Sequence, residues 1–224
     1  GAGDMTSGYP ALMFLALLAL FSPLAALSAY MPVVGRFSPA DQWKLVFGLL
    51  VNTAVFALGA VWVGEPLLKL IGISTPALTV TGGIALLYAG VPMMQGAGEA
   101  APESGAADET VAASDGESWR KVLFTPLTFP LTVGGTSFGI IVAFTSNARN
   151  LLDHVWFSLA GLAYAVLAAA TLTIAGHLHR RISARAEAVL SRVAGILLTA
   201  IAASLLADGG TRLVVAVLDA MGRT

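Results

Sequence analysis

TPLTFPLTVGGTSFG, residues 125–139, is the stretch on which the fold turns. It places Pro126, Pro130, Gly134 and Gly135 close together in chain that is apolar on both sides. Proline inside a helix removes a backbone hydrogen bond and clashes with the preceding turn, so a continuous helix is not expected here. An open loop in hydrocarbon is no better, because each unsatisfied backbone group costs several kcal/mol there. One solution meets both constraints: a discontinuous helix turned toward the protein interior.

The surroundings set that problem in a membrane. The 224 residues are 57% hydrophobic and 11% charged, against about 25% charged in soluble domains. The charges fall between long uncharged windows, and about 20 apolar helical residues cross a hydrocarbon core. Six spans are expected, near Tyr9–Val33, Trp43–Val63, Pro76–Gly96, Lys121–Asn147, His154–Gly176 and Val189–Ala207. The fold class is therefore all-α and polytopic. The first span reads as a retained helix rather than a signal peptide, since its apolar run is long and no basic segment precedes it. A net charge of −1 gives no field that would draw nucleic acid, and the absence of cysteine excludes disulfides and thiolate metal sites.

Residues 97–119 carry Glu99, Glu103, Asp108, Glu109, Asp115 and Glu117 among glycine, alanine and serine. That composition cannot bury enough apolar area to fold. It reads as an acidic, flexible cytoplasmic connection between residues 1–96 and 120–224. Each half holds three spans and the halves echo each other. Phe21-Ser22-Pro23-Leu24 matches Thr128-Phe129-Pro130-Leu131, and Thr81-Gly82-Gly83-Ile84 has its counterpart in Val193-Ala194-Gly195-Ile196. Three is odd, so the second copy enters the membrane from the opposite side, giving the 3+3 inverted repeat common among secondary transporters. Span one is expected to break at Ser22-Pro23 as span four breaks at 126–135.

Lysine and arginine set the orientation. Connections one, three and five hold Arg36, Lys44, Arg120, Lys121, Arg180, Arg181, Arg185 and Arg192; the other side holds Lys69, Arg149, Arg212 and Arg223. The first set is expected in the cytoplasm, with both termini outside. Trp43, Trp62, Trp119 and Trp156 stand near span ends, as interface anchors do. Asp208, before Gly209-Gly210, and Glu65, beside Pro66, are read as span-end residues.

A pair of broken helices offers bare peptide dipoles. A half-helix starting near Gly134 presents free N–H groups suited to a carboxylate, and the opposing carbonyl ends suit an ammonium or a cation. Ser22, Thr128, Thr132, Thr136 and Ser137 add hydroxyls and Asn52 adds an amide. With Pro23, Pro130, Gly134 and Gly135 shaping the breaks, these residues form a charge-free candidate pocket for a small zwitterion. Gly135-Thr136-Ser137-Phe138-Gly139 also spells the nucleophile-elbow pattern, which needs a strand before it and a positioned base. Proline-broken helix precedes it, and His154, His177 and His179 lie near span ends, so no enzymatic activity is expected. No metal site or cofactor is expected. No carboxylate falls at mid-span, which argues against a buried proton relay and leaves open coupling to Na⁺ held by carbonyls and hydroxyls, coupling to H⁺ at an edge residue, or uncoupled facilitation.

Four passages carry a family resemblance: Phe21-Ser22-Pro23-Leu24, GISTPALTVTGGIALLYAG at 72–90, PLTFPLTVGG at 126–135, and AGILLTAIAASLLADGG at 194–210. Together they resemble the MarC family of six-span inner-membrane proteins, over nearly the whole chain outside the acidic insert. The resemblance implies a bacterial or archaeal inner membrane, periplasmic termini and a small neutral amino acid, such as alanine or glycine, as substrate. The chain departs from the family pattern at Ser22-Pro23-Leu24-Ala25, where Asn-Pro-x-Gly is usual, and at Gly134-Gly135-Thr136, where Gly-Pro-Gly is usual. Expected partners are the substrate and the lipid bilayer; a homo-oligomer stays open. An exporter or channel for another small solute, and a membrane scaffold or sensor, are the other classes that fit.

Overall fold

The computed structural model describes residues 8–96, 118–129, 132–178 and 183–222, which are helical and contain no strand. Residues 97–117 of the acidic connection lie outside the described residues, as do Pro130, His179, Arg180, Arg181 and Arg223, whereas Trp119, expected in that connection, opens a helix capped by Ser118. Helix α1 (Tyr9–Phe21) meets α2 (Pro23–Val34) at a bend of 49°. Helix α3 (Pro39–Leu70) contains a π turn, Ala60–Gly64. Helix α4 is Thr75–Gln95, and the short α5 is Trp119–Val122, continued by a π turn at Leu123–Thr128. Helices α6 (Gly135–Thr145), α7 (Leu151–His177) and α8 (Ala184–Met221) complete the order.

Four of these, α3, α4, α7 and α8, are each long and apolar enough to cross a membrane, and the bent pair α1–α2 makes a fifth. The expected fourth span is not one helix: α6, at 11 residues, is too short to cross alone.

Local sequence explains most boundaries. Ser38, Ser74 and Asn150 cap α3, α4 and α7 by accepting from the backbone N–H three residues on, with Pro39 and Pro76 in the first turns of α3 and α4. Along α3, Leu45, Leu49, Thr53 and Ala57 form the buried stripe, while Phe47, Val51 and Val55 face outward. Nineteen residues separate Trp43 from Trp62, about 28 Å at 1.5 Å per residue, which matches a hydrocarbon core.

Two expected boundaries are overturned. Span two does not stop at Val63: α3 runs through Glu65-Pro66 to Leu70, and the π turn Ala60–Gly64 widens the helix just where Pro66 would crowd the carbonyl of Trp62. Glu65 is buried and paired with Lys69 one turn on. Span six does not end at Ala207. Helix α8 continues through Asp208-Gly209-Gly210 because Gly209 serves close packing, not termination: a Cβ there would lie 2.9 Å from Val80 N and 3.1 Å from Pro76 O.

The same device recurs along the α4–α8 pair, the most extensive helix contact of the structure. A Cβ on Gly195 would sit 2.3 Å from Met94 N, and one on Gly90 would sit 3.0 Å from Gly195 O. In lipid, where the solvent is as apolar as leucine, such small-residue contact supplies the packing that holds helices together. Helix α3 lies against α7, and α1 packs on α6, α7 and α8. The core between them holds Met13, Leu17, Tyr30, Phe144, Phe157 and Tyr164, all fully buried.

Gly195→Leu is expected to destabilise the detergent-solubilised protein by about 3 kcal/mol or more, since the obstructing atoms are backbone. Gly210→Ala, where a Cβ meets nothing within 4 Å, is expected to raise stability by up to about 1 kcal/mol through helix propensity. Thermal melts of the two variants check the pair.

Candidate functional site

Both breaks fall where the sequence places them. Ser22 adopts φ 45° and ψ 84° and is the one non-glycine among the described residues with positive φ. It closes α1 by donating its N–H to Leu18 O at 3.0 Å, and opens α2 by accepting from Ala26 N at 2.9 Å. Pro23, in the first turn of α2, needs no N–H partner. Holding a serine in the left-handed region costs about 1–3 kcal/mol, so the surrounding packing enforces the bend.

The second break repairs its own backbone with hydroxyls. Thr128 Oγ1 donates to Leu123 O, and Thr132 Oγ1 donates to Leu127 O, each at 2.7 Å and each five residues back. Phe129 N donates to Phe124 O at 3.0 Å, and Val133 N to Thr128 O at 2.9 Å. Where proline geometry prevents regular i→i−4 pairing, side-chain protons and π-type bonds satisfy the carbonyls. The two threonines, expected as pocket hydroxyls, thus have their protons committed to the chain and keep only acceptor lone pairs.

Those lone pairs tie the breaks together. Asn52 Nδ2 donates to Thr128 Oγ1 at 3.1 Å, joining α3 to the break. The hydroxyls of Tyr30 and Thr132 are hydrogen-bonded to each other, and Tyr164 OH donates to Thr132 O. Phe21, the last residue before the first break, stacks edge-on against Tyr164 at 5.7 Å between centroids and packs at 6.1 Å on Tyr30. Thr132 is therefore the hub at which α2, α7 and the broken segment meet.

Helix α6 begins directly after the second break. Gly134 precedes it in extended conformation and offers no side-chain cap, so the first N–H groups of α6 have no carbonyl within the helix. Gly135 is exposed, with open space where a Cβ would stand; Thr136 is half-buried and Ser137 is buried. Pro130 lies outside the described residues.

Sequence reasoning missed two site residues, Tyr30 and Tyr164, and one buried hydroxyl, that of Thr53. Tyr30 and Tyr164 were hidden among apolar neighbours, although a tyrosine at mid-span needs a partner for its hydroxyl. Thr53, next to Asn52, is fully buried, and its hydroxyl has no hydrogen-bond partner. An orphan hydroxyl of this kind costs about 1–3 kcal/mol.

A second polar cluster closes the opposite end of α6. Arg212 Nη1 donates to Asn147 Oδ1 at 2.7 Å, and Arg212 Nη2 lies 3.1 Å from Asp208 Oδ2, near enough for an ion pair but not aligned as a hydrogen bond. The Tyr9 hydroxyl rests against Asp208, and its ring packs edge-on against Phe144 at 6.0 Å. Helices α1, α6 and α8 are thus fastened together at the end where Trp62 donates to Ser158 Oγ.

Thr132→Val removes the donor to Leu127 O and the partner of Tyr30 while keeping the shape. It is expected to cost about 1–3 kcal/mol, whereas Thr132→Ser retains most of the stability; melting curves in detergent distinguish them.

The inner membrane protein MarC of Citrobacter koseri is 25% identical over 203 residues, covering 86% of this chain and 90% of that protein. MarC of Salmonella paratyphi A is 24% identical over 201 residues, and MarC of Escherichia coli O1:K1 / APEC is 25% identical over 206 residues, each with the same coverage. No solved structure matches the chain. The model of the MarC family of integral membrane proteins matches residues 9–214, a range that takes in both breaks, the hub at Thr132 and the Asp208–Arg212 pair, and the chain belongs to that family.

Proposed function

We propose that this protein is a secondary transporter of small neutral amino acids, working by alternating access between the two breaks. The observation that carries the reading is the joining of both interrupted segments at Thr132, through Tyr30 and Tyr164. Broken helices that meet inside a bundle present peptide dipoles to a guest, the pattern of transporter sites. The α6 N-terminus suits a carboxylate. The neighbourhood of Asn52, Thr128, Thr132 and Ser137 carries no net charge, which suits a zwitterion over an ion. The unpartnered Thr53 hydroxyl is a polar group that a bound ligand or water would satisfy.

In this reading the segment from Trp119 to Thr145 is the fourth crossing, and residues 1–96 and 120–224 form two inverted halves. Its support is that corresponding spans lie together: α1 on α6, α3 on α7 and α4 on α8. The amino and carboxyl termini face outward. This follows from the arginine and lysine distribution, with the charge-rich end carrying Lys44 and Arg120 over the Trp119 ring at 5.6 and 5.4 Å. The Tyr9–Asn147–Asp208–Arg212 cluster then closes the outer side. Coupling uses Na⁺ at carbonyls and hydroxyls or H⁺ at an edge carboxylate, and no cofactor takes part.

Thermal melts against glycine, alanine, serine and threonine test the substrate. A ligand at a hundred times its Kd stabilises by about 2.7 kcal/mol, and saturable uptake into proteoliposomes is expected for the same compound. A flat melt across all four overturns the substrate, and linear, non-saturating flux favours a channel. The chain has no cysteine, so Thr136→Cys gives a single reporter at the α6 N-terminus. Adding Arg212→Gln is expected to raise its labelling by an impermeant thiol reagent about tenfold, the shift that ~1.4 kcal/mol produces.

A further inference from the structure

Away from the hydrogen-bonded network of the breaks, the start of α2 and the first turns of α8 border a groove of about 570 Å³, lined by Leu24, Ser183, Arg185, Ala186, Val189 and Leu190. The groove is polar at one end and apolar along the rest. Ser183 and Arg185 stand at the head of α8; Leu24, Ala186, Val189 and Leu190 follow deeper along it. Val189 and Leu190 remain 59% and 44% exposed, so the bundle itself does not fill this surface.

Depth along α8 fixes where the polar end sits. Gly209 packs against Pro76, in the first turn of α4. Arg185 is 24 residues before it, about 36 Å away at 1.5 Å per residue, which reaches the headgroup zone of the other leaflet. Leu190 is about 28 Å from Gly209 by the same rise, within the acyl region. Glu187, the nearest acid on α8, is engaged by Ser28 Oγ of α2 at 3.3 Å. No ion pair among the described residues includes Arg185.

We propose that this groove is a binding site for an anionic phospholipid of the arginine-rich leaflet, with one acyl chain along Leu24, Val189 and Leu190 and the phosphate at Arg185. The order of charge, then apolar wall, matches the order of headgroup and tail. A zwitterionic lipid fills the same wall, but its own ammonium offsets the phosphate that Arg185 attracts. The site is independent of the transported substrate, since none of its residues belongs to the Asn52–Thr128–Thr132 network.

The test uses full-length protein in dodecyl maltoside micelles doped with dioleoyl phosphatidylglycerol or dioleoyl phosphatidylcholine. Native mass spectrometry counts retained lipid, and melting reads its stabilisation. One phosphatidylglycerol should be retained about fivefold more tightly than phosphatidylcholine, the preference expected of one basic side chain near the headgroup. Arg185→Gln should bring the two lipids within about twofold, and Arg185→Lys should restore most of the difference. Ala186→Trp, which fills the groove from an exposed helix position, should lose both lipids. Lipid-free melting of each variant should match the parent; a variant that fails this control is replaced by Val189→Trp. Retention of the phosphatidylglycerol preference by Arg185→Gln overturns the proposal, as does undiminished binding by the filled groove. Equal protection by glycerophosphoglycerol, which lacks acyl chains, overturns it in favour of a free phosphate site.

Discussion

Every backbone N–H and C=O placed in hydrocarbon must find a partner within the protein, and this requirement shapes the structure around residues 123–135. Prolines forbid a regular helix there, and lipid forbids an open loop. The chain meets both demands by lending threonine hydroxyl protons to its own carbonyls, at Leu123 and Leu127. That repair consumes the donors and leaves acceptors, so the segment needs donors from elsewhere. Asn52 and Tyr30 supply them. Three otherwise separate parts of the chain are drawn to one point because a broken backbone could not remain broken alone.

The helix pairs around this point are joined by different physics. Along α4 and α8, glycines bring backbone against backbone, and no side chain intervenes to yield. Dispersion over many close contacts holds that pair, with little tolerance for added volume. The broken segments rely on a few directional hydrogen bonds and on tilted aromatic rings around Phe21. A small number of exchangeable bonds is easier to rearrange than a continuous glycine seam. The architecture therefore joins a glycine-packed helix pair to a segment held by a few hydrogen bonds.

Charge is confined to the two ends and does different work at each. At the Trp62 end, Arg212 is paired with Asp208 one turn back on α8 and reaches across to Asn147 beyond α6. At the opposite end, Lys44 and Arg120 lie over the Trp119 ring, and Arg185 borders an apolar groove without a direct ion pair. A cation that also hydrogen-bonds across to another helix favours one arrangement of the bundle, while a cation at an interface without such a contact answers to the lipid. An arginine side chain thus acts as a fastener or as a surface contact, according to whether an acceptor on another part of the chain lies within reach.

Composition and order alone determined the helical membrane character, the positions of both breaks and the interface tryptophans. Each follows from short-range physics: the cost of charge in lipid, the geometry of proline, the amphipathic nature of indole. The pairing of Asn52 with Thr128 lies beyond such rules, since 76 residues separate them. Helix ends at Leu70 and Met221 were misjudged because Pro66 and Gly209-Gly210 read as terminators. Only packing revealed that a π turn absorbs the one and that α4 presses against the other. Tyr30, Tyr164 and Thr53 had no distinguishing pattern, because a hydroxyl becomes significant only through what it faces. Local chemistry is written along the chain; which donor meets which acceptor was decided when the helices packed.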